Sequence, residues 1–297
     1  MKGEALRTPN FFQPQISWIT RIMTMNELFP YTFQALRHAL GHDRPDDPRP
    51  LWERRLSAES DFCRAVVACG YLTREQMQRA AQRYRLGRSR DGGVIFWQID
   101  PLGQVCDGKI MHYRPDCHRD HSRHPDWVMS LLRRHYLKDE PDLVARMPAP
   151  VHCLFGTHLL NIENSKWKIE HFSTEGCIAN NLQSSIFNFQ SSVAVVESEK
   201  TAVIMSERYP DHLWLATGGL NELTPQKLFP LRGRRIILFP DTDPEGRAYA
   251  TWYRVVQEAE HLLGQPIHLS SLLERHATPE QKARKIDIAD LILKHEK

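Results

Sequence analysis

No two cysteines in this chain are spaced as CxxC. Cys63, Cys69, Cys106, Cys117, Cys153 and Cys177 stand singly, mostly in or beside apolar segments. That is the pattern of reduced thiols, not of a disulfide framework or a paired-ligand zinc module. No stretch approaches ~18 consecutive apolar residues, which excludes an apolar membrane-spanning helix. The opening MKGEALRTPNFFQPQ lacks the apolar core of a secretory signal, so a cytoplasmic location is expected. Excess charge is scarce: 39 Lys and Arg against 36 Asp and Glu leave +3. Binding of nucleic acid by bulk charge is therefore excluded, and any such role must rest on local clusters. Internal repeats and low-complexity tracts are absent, which removes solenoid architectures.

What is present divides into three parts. A length of 297 residues suits two domains better than one. Residues 1–57 hold one short amphipathic helix, Leu28 to Leu40, and the linker GHDRPDDPRP, in which proline removes donors and fixes φ. Residues 58–190 read as a small α+β subdomain. Ser57 is expected to cap a first helix carrying Phe62, Ala65, Val66 and Cys69, stopped by Gly70. Thr73 caps a second helix, with Glu75 and Gln76 near its third position, and Gly87 ends it. GVIFWQID and QVCDGKIMHY then form a β-hairpin over residues 93–113. Pro101-Leu102-Gly103 makes the turn and Gly108 marks a bulge. Val94, Phe96 and Gln98 share one face and Ile95, Trp97 and Ile99 the other, so both faces of this strand are expected to be covered. A helix is expected around Trp127–Tyr136, and APVHCLFGTHLL follows at 149–160.

From residue 191 to 297 the pattern is regular. Strands VAVVE, LWLATGG, RIILFPD and PIHLSSLL alternate with helices SEKTAVIMSERY, TPQKLFPL, PEGRAYATWYRVVQEAEHLLG and IDIADLILKH. Strands alternating with helices specify an α/β domain with a mainly parallel sheet covered on both faces. Ligands in such sheets bind at the carboxyl ends of the strands. Three acids fall there: Glu197 after the first strand, Asp241 and Asp243 after the third. Carboxylates so placed suit Mg²⁺ or Mn²⁺, hard ions that take few protein oxygens and complete their shell with water and phosphate. The same two aspartates also suit the start of the following helix, since Asp-Pro-Glu is a good helix opening. Gly218 and Gly219 would let the backbone turn close beside the site.

These residues resemble a known family. VAVVESEKTA followed by FPDTDPEG is similar to the TOPRIM domain of bacterial-type primases, topoisomerases and some nucleases. The upstream hairpin and CLFGTHLL resemble the smaller subdomain that precedes TOPRIM in bacterial primases. The run IFWQID…GKIM…CLFG…VESEKTA…WLATGG…DIADLIL resembles a primase-like family of mobile genetic elements, over roughly residues 80 to 297. The resemblance implies that Glu197 does acid–base work, that Asp241 and Asp243 hold the ion, and that the partners are single-stranded DNA and nucleotides.

Basic residues supply candidate phosphate contacts. Arg83, Arg85, Arg88 and Arg90 cluster, and Arg114, Arg119 and Arg123 are interleaved with His112, His118, His121 and His124. This tract, with Cys117, reads as a basic surface loop in preference to a zinc site. Lys109 ends the hairpin and Lys200 follows Glu197; each is either a phosphate contact or a surface lysine. Asp287 and Asp290, one helical turn apart, are either outer acids of the site or, as the default reading, an exposed helix face. The leading expectation is a primase-like, Mg²⁺-dependent nucleotidyl or phosphoryl transferase acting on single-stranded DNA. A TOPRIM nuclease is one alternative. The other is a non-catalytic accessory that binds DNA or a replicative helicase through a degenerate site, a reading favoured by the missing N-terminal zinc module.

Overall fold

A computed structural model of the chain describes residues 55–131, 133–134, 138–139, 141–146, 150, 152–162 and 192–293. The Leu28–Leu40 helix, the 41–50 linker, Cys177 and the polar stretch from 163 to 190 lie outside the described residues. The chain divides into two compact units, Met1–Arg54 with Met129–Pro150 and Arg55–Val128 with Val151–Lys297. The second unit carries both sheets.

Helix α1 (Asp61–Ala68) is capped by Ser60, whose hydroxyl accepts the Cys63 amide at 3.3 Å. The cap is three residues later than expected. Ser57 instead bonds Leu86 through its amide and receives Glu59 on its hydroxyl, so it anchors the incoming chain. Helix α2 (Arg74–Arg83) opens on the expected box, Thr73 and Gln76 each bonding the other's amide. It ends at Tyr84, earlier than Gly87, because Arg85 takes a left-handed φ of 52° and turns the chain into β1 (Gly87–Arg88).

The first sheet has order β1-β2-β3-β4, all antiparallel, with β2 (Val94–Ile99), β3 (Val105–Met111) and β4 (Asp126–Trp127). All six residues of β2 are buried, as a strand apolar on both faces requires. The irregularity sits between Gln98 and Ile99, not at Gly108. Gly87 and Gly108 serve another purpose: the Trp97 indole lies across both, and a Cβ on either would come within 2.7 Å of the ring. Trp127 is in strand β4, and the helix expected from it begins only at α3 (Val128–Leu131). Short helices α4 (Pro141–Arg146) and α5 (Leu159–Ile162) follow.

The second sheet is wholly parallel, in the order β6-β5-β7-β8, from β5 (Ser192–Val196), β6 (His212–Ala216), β7 (Ile236–Phe239) and β8 (His268–Leu269). This is the α/β architecture with four parallel strands that the alternating pattern requires. The last strand is shorter than PIHLSSLL, since Leu272 and Leu273 already belong to helix. Period-two alternation feeds two cores. Ala194 and Val196 join Phe62, Phe96, Phe155 and Trp214 on one face; Val193 and Val195 join Leu238 and Trp252 on the other. Helix α6 (Glu199–Arg208) packs in the first core. Beyond the short α7 (Pro225–Leu228), helix α8 (Arg247–Leu263) packs in the second. Helix α8 buries Ala248, Trp252, Val256, Ala259 and Leu263, spaced four, four, three and four residues apart along one stripe. Burying Trp252, Val256 and Leu263 stabilises by about 1.5–3 kcal/mol each, and Trp252→Ala would cost about 3–5 kcal/mol. The chain closes with α9 (Leu272–His276), α10 (Pro279–Ala283) and α11 (Ile288–Leu293).

Candidate functional site

Strand β5 is central, with β6 on one side and β7 on the other. The chain runs from β5 to β6, then crosses to β7, so the strand order reverses between β5 and β7. The crevice at the carboxyl ends of these two strands is the place such sheets provide for a ligand. Glu197 leaves β5 there and Asp241 follows β7. Both line a cavity of about 360 Å³, with Gly218 and Gly219 from the β6 turn and Asp287 from the segment before α11. A hydrogen bond from the Thr242 amide to the Ile286 carbonyl, 3.1 Å, ties that segment to the β7 loop.

The carboxylates affect one another. Burial pushes the Asp241 carboxyl well above the ordinary range, and the charges of Glu197 and Asp287 push it further. Burial likewise raises Glu197, against opposing contributions from the Leu220 amide and from Lys109 and Lys285. Asp287, expected on an exposed face, is buried. It accepts the Thr201 hydroxyl at 2.5 Å and lies 3.7 Å from Lys200 Nζ. Burial disfavours the Lys200 ammonium, but Asp287 and Asp290 outweigh it and raise its pKa. Lys200 thus lines the cavity as half of an ion pair.

Asp243 is placed elsewhere. Its carboxylate accepts the amides of Glu245, Arg247 and Ala248 at 3.0, 3.1 and 2.7 Å, closing the start of α8. Burial works against its charge, yet these amides hold its pKa below the ordinary value. It does not line the cavity.

Lys109 is buried on an interior strand. Its Nζ donates to both Glu199 oxygens, at 3.1 and 3.3 Å, and to the Gly218 carbonyl at 2.6 Å. Gly218 has φ +87°, and a Cβ there would sit 3.0 Å from Glu199 Oε1, so glycine is required on both counts. Of the three loop arginines, only Arg119 lines the cavity, with His118 and His121. Its Nε is buried without a hydrogen-bond partner. Arg114 pairs with Asp116, and Arg123 with Asp91. Glu199, Asp287, Arg284 and Lys285 are the residues of the site that sequence reasoning passed over or set aside. For Asp287 a signal existed, an acid flanked by Ile286 and Ile288. For Glu199 the signal was its place in the first turn after Glu197.

Among the described residues, no group of three or more His, Cys, Asp or Glu side chains is arranged to hold a metal ion. Two carboxylates with raised proton affinity, facing one cavity, still fit a hard divalent ion, because Mg²⁺ is commonly held by one or two carboxylates plus substrate phosphate.

The family model that describes a domain of unknown function, DUF6371, matches residues 61–173 and 181–242, more than half of the chain. The chain belongs to the DUF6371 family. The DUF6371 match takes in Lys109, Glu197, Lys200 and Asp241 and stops before Asp243 and Asp287. None of the curated proteins matches the chain, and no solved structure does. No helix among the described residues is long and apolar enough to cross a membrane.

Proposed function

We propose that this DUF6371 chain carries a TOPRIM-type domain over residues 191–297 and performs primase-like nucleotidyl or phosphoryl transfer on single-stranded DNA with Mg²⁺ or Mn²⁺, in the replication of a mobile element. One observation carries the reading: Glu197 and Asp241 face one cavity at the point where the strand order of a parallel sheet reverses, each holding its proton more tightly than usual. Asp241, with Glu197, would hold the ion, and Asp287 adds negative charge behind them. A bound divalent ion supplies charge neutralisation to a transferring phosphoryl group. Glu197, with its raised pKa, suits proton transfer at the attacking or leaving oxygen. Arg119, Arg284 and Lys285 line the same cavity and suit phosphate oxygens, whereas Lys200 there is already paired with Asp287. Lys109 is neutralised by Glu199, so it holds the Gly218 turn in place and is not a free phosphate contact.

Synthesis and strand cleavage need the same charge neutralisation, so both belong in the test. Primer synthesis and cleavage are assayed on single-stranded DNA with Mg²⁺ or Mn²⁺, for the native chain and for Asp241→Asn. Activity that depends on the ion and disappears in Asp241→Asn supports the reading, and its products separate a primase-like enzyme from a nuclease. A second reading, a non-catalytic accessory that binds DNA or a helicase, is favoured by the engagement of Asp243 with three amides. It wins if both proteins are inactive and bind DNA equally well.

A further inference from the structure

Trp127 differs from the other described tryptophans. Trp97, Trp214 and Trp252 are fully buried, whereas Trp127 is half-buried and belongs to neither apolar core. Its neighbour is a histidine. The Trp127 indole and the His152 imidazole stack with centroids 3.9 Å apart and planes 12° apart. His152 Nε2 in turn lies 3.1 Å from Asp107 Oδ2. The Asp107 side chain is 0% exposed and the His152 side chain 24%. Asp107 Oδ1 accepts the Gly108 amide at 2.7 Å. A buried carboxylate is costly unless paired. Here it fixes one edge of the imidazole, and the imidazole fixes the indole, so two flat rings are held at the surface in one orientation.

Their position adds to the case. Trp127 is the direct cross-strand partner of Lys109, whose side chain lines the cavity. Such partners lie roughly 4.5–5.5 Å apart at Cα. Asp107 is two residues from Lys109 on the same face of β3, roughly 7 Å away. The ring pair therefore stands one strand spacing from a cavity lined by Arg119, Arg284 and Lys285. Flat rings beside cations are what an unpaired nucleotide needs, because the base stacks while its phosphate is neutralised.

We propose that Trp127 and His152 form a stacking platform for one unpaired base of a single DNA strand whose adjoining phosphate lies at the cavity, with Asp107 as the positioning residue. The proposal rests on the nucleic-acid reading above. It predicts a preference that charge alone does not give. Binding is titrated for a short oligothymidylate and for the abasic phosphodiester strand of the same length. Trp127→Leu should weaken the base-bearing strand roughly 5- to 150-fold and leave the abasic strand unchanged. His152→Leu should act in the same direction, and Trp127→Phe should retain most of the affinity. Trp127→Phe should also lose the share of tryptophan fluorescence that the bases quench, a readout that does not depend on the leucine variant folding. Equal losses on both strands, no loss on either, or unaltered quenching in Trp127→Phe overturns the platform and leaves the nucleic-acid reading standing. If the native chain binds neither strand, that reading falls and takes the platform with it.

Discussion

Asp243 separates two roles that one sequence motif permits, and its replacement decides between them. As a cap it holds three amides at the approach to and start of α8, and Ala248 is buried. Loss of a capping side chain costs about 0.5–2 kcal/mol. A buried amide left without an acceptor adds about 1–3 kcal/mol. Asp243→Ala should therefore destabilise by about 1.5–5 kcal/mol. Asp243→Asn keeps an oxygen but loses the charge, and since hydrogen bonds to charged groups are worth about twice neutral ones, it should cost about 1–2 kcal/mol. Urea unfolding of the metal-free protein at neutral pH gives both values as midpoint shifts at constant slope. The sign with pH follows from the direction of the shift. The folded-state pKa lies below the ordinary value, so the stabilisation is complete above the unfolded pKa of about 3.9 and is lost as pH falls through the folded one. The gap between the native chain and Asp243→Asn should close in acid. Mg²⁺ should stabilise Asp243→Asn as much as the native chain. A variant as stable as the native chain that has lost its response to Mg²⁺ would refute the cap and make Asp243 a ligand.

Asp241 should behave in the opposite way. Its folded-state pKa is raised, so its stability cost is absent below the ordinary carboxylate range and grows as pH rises through the folded pKa; thermal unfolding should show metal-free Asp241→Asn more stable than the native chain at neutral pH, no different in acid, and indifferent to Mg²⁺. Lys109→Met leaves Glu199 buried without its cation and should cost about 3–5 kcal/mol in urea unfolding, whereas adding Glu199→Leu should recover most of that, since apolar replacement of a buried pair is near neutral. Arg119→Ala should lower the salt slope of single-strand binding by about 0.7 for its lost phosphate, and Arg114→Ala, paired with Asp116 outside the cavity, should leave the slope as it is.

The legible parts of this chain are those whose cause is local. Thr73 and Gln76 lie three residues apart and cap α2 from side chains the sequence displays side by side. The Val-rich run of β5 can only be a strand covered on both faces, and Pro101-Leu102-Gly103 can only be a turn. Alternation gives a parallel sheet with Glu197 and Asp241 at the carboxyl ends of its strands; the order that brings them to one switch point is set by tertiary pairing and was not legible. What escaped needs a partner far along the chain. Lys109 looks like the lysine of an edge strand until β4, which returns after the basic loop, pairs outside it and Glu199 closes on its ammonium. Asp287 sits in a helical pattern that allows an exposed face, and partners far along the chain hold it inward: the bond from Thr242 to Ile286, the Thr201 hydroxyl and Lys200.

This asymmetry bears on how the site works. Within the DxD motif, spacing says that two carboxylates are near one strand end but not which way either points. Helix α8 opens at Arg247, later than the Asp-Pro-Glu start expected, and the turn leading into it competes for the second carboxylate. Asp243 takes the amide of Glu245 in that turn and those of Arg247 and Ala248 in the first turn of the helix. Once Asp243 is taken, the cavity keeps Asp241 and Glu197 and gains Asp287, whose charge is already shared with Lys200 and Thr201. A divalent ion at such a place is held by few protein oxygens, so its affinity should depend on the phosphate it meets there. Mg²⁺ alone should then stabilise the native chain weakly, and Mg²⁺ with a single strand should stabilise it by more than the two separately. Thermal unfolding with each ligand alone and with both measures that excess; strictly additive shifts would show that ion and strand do not share the cavity.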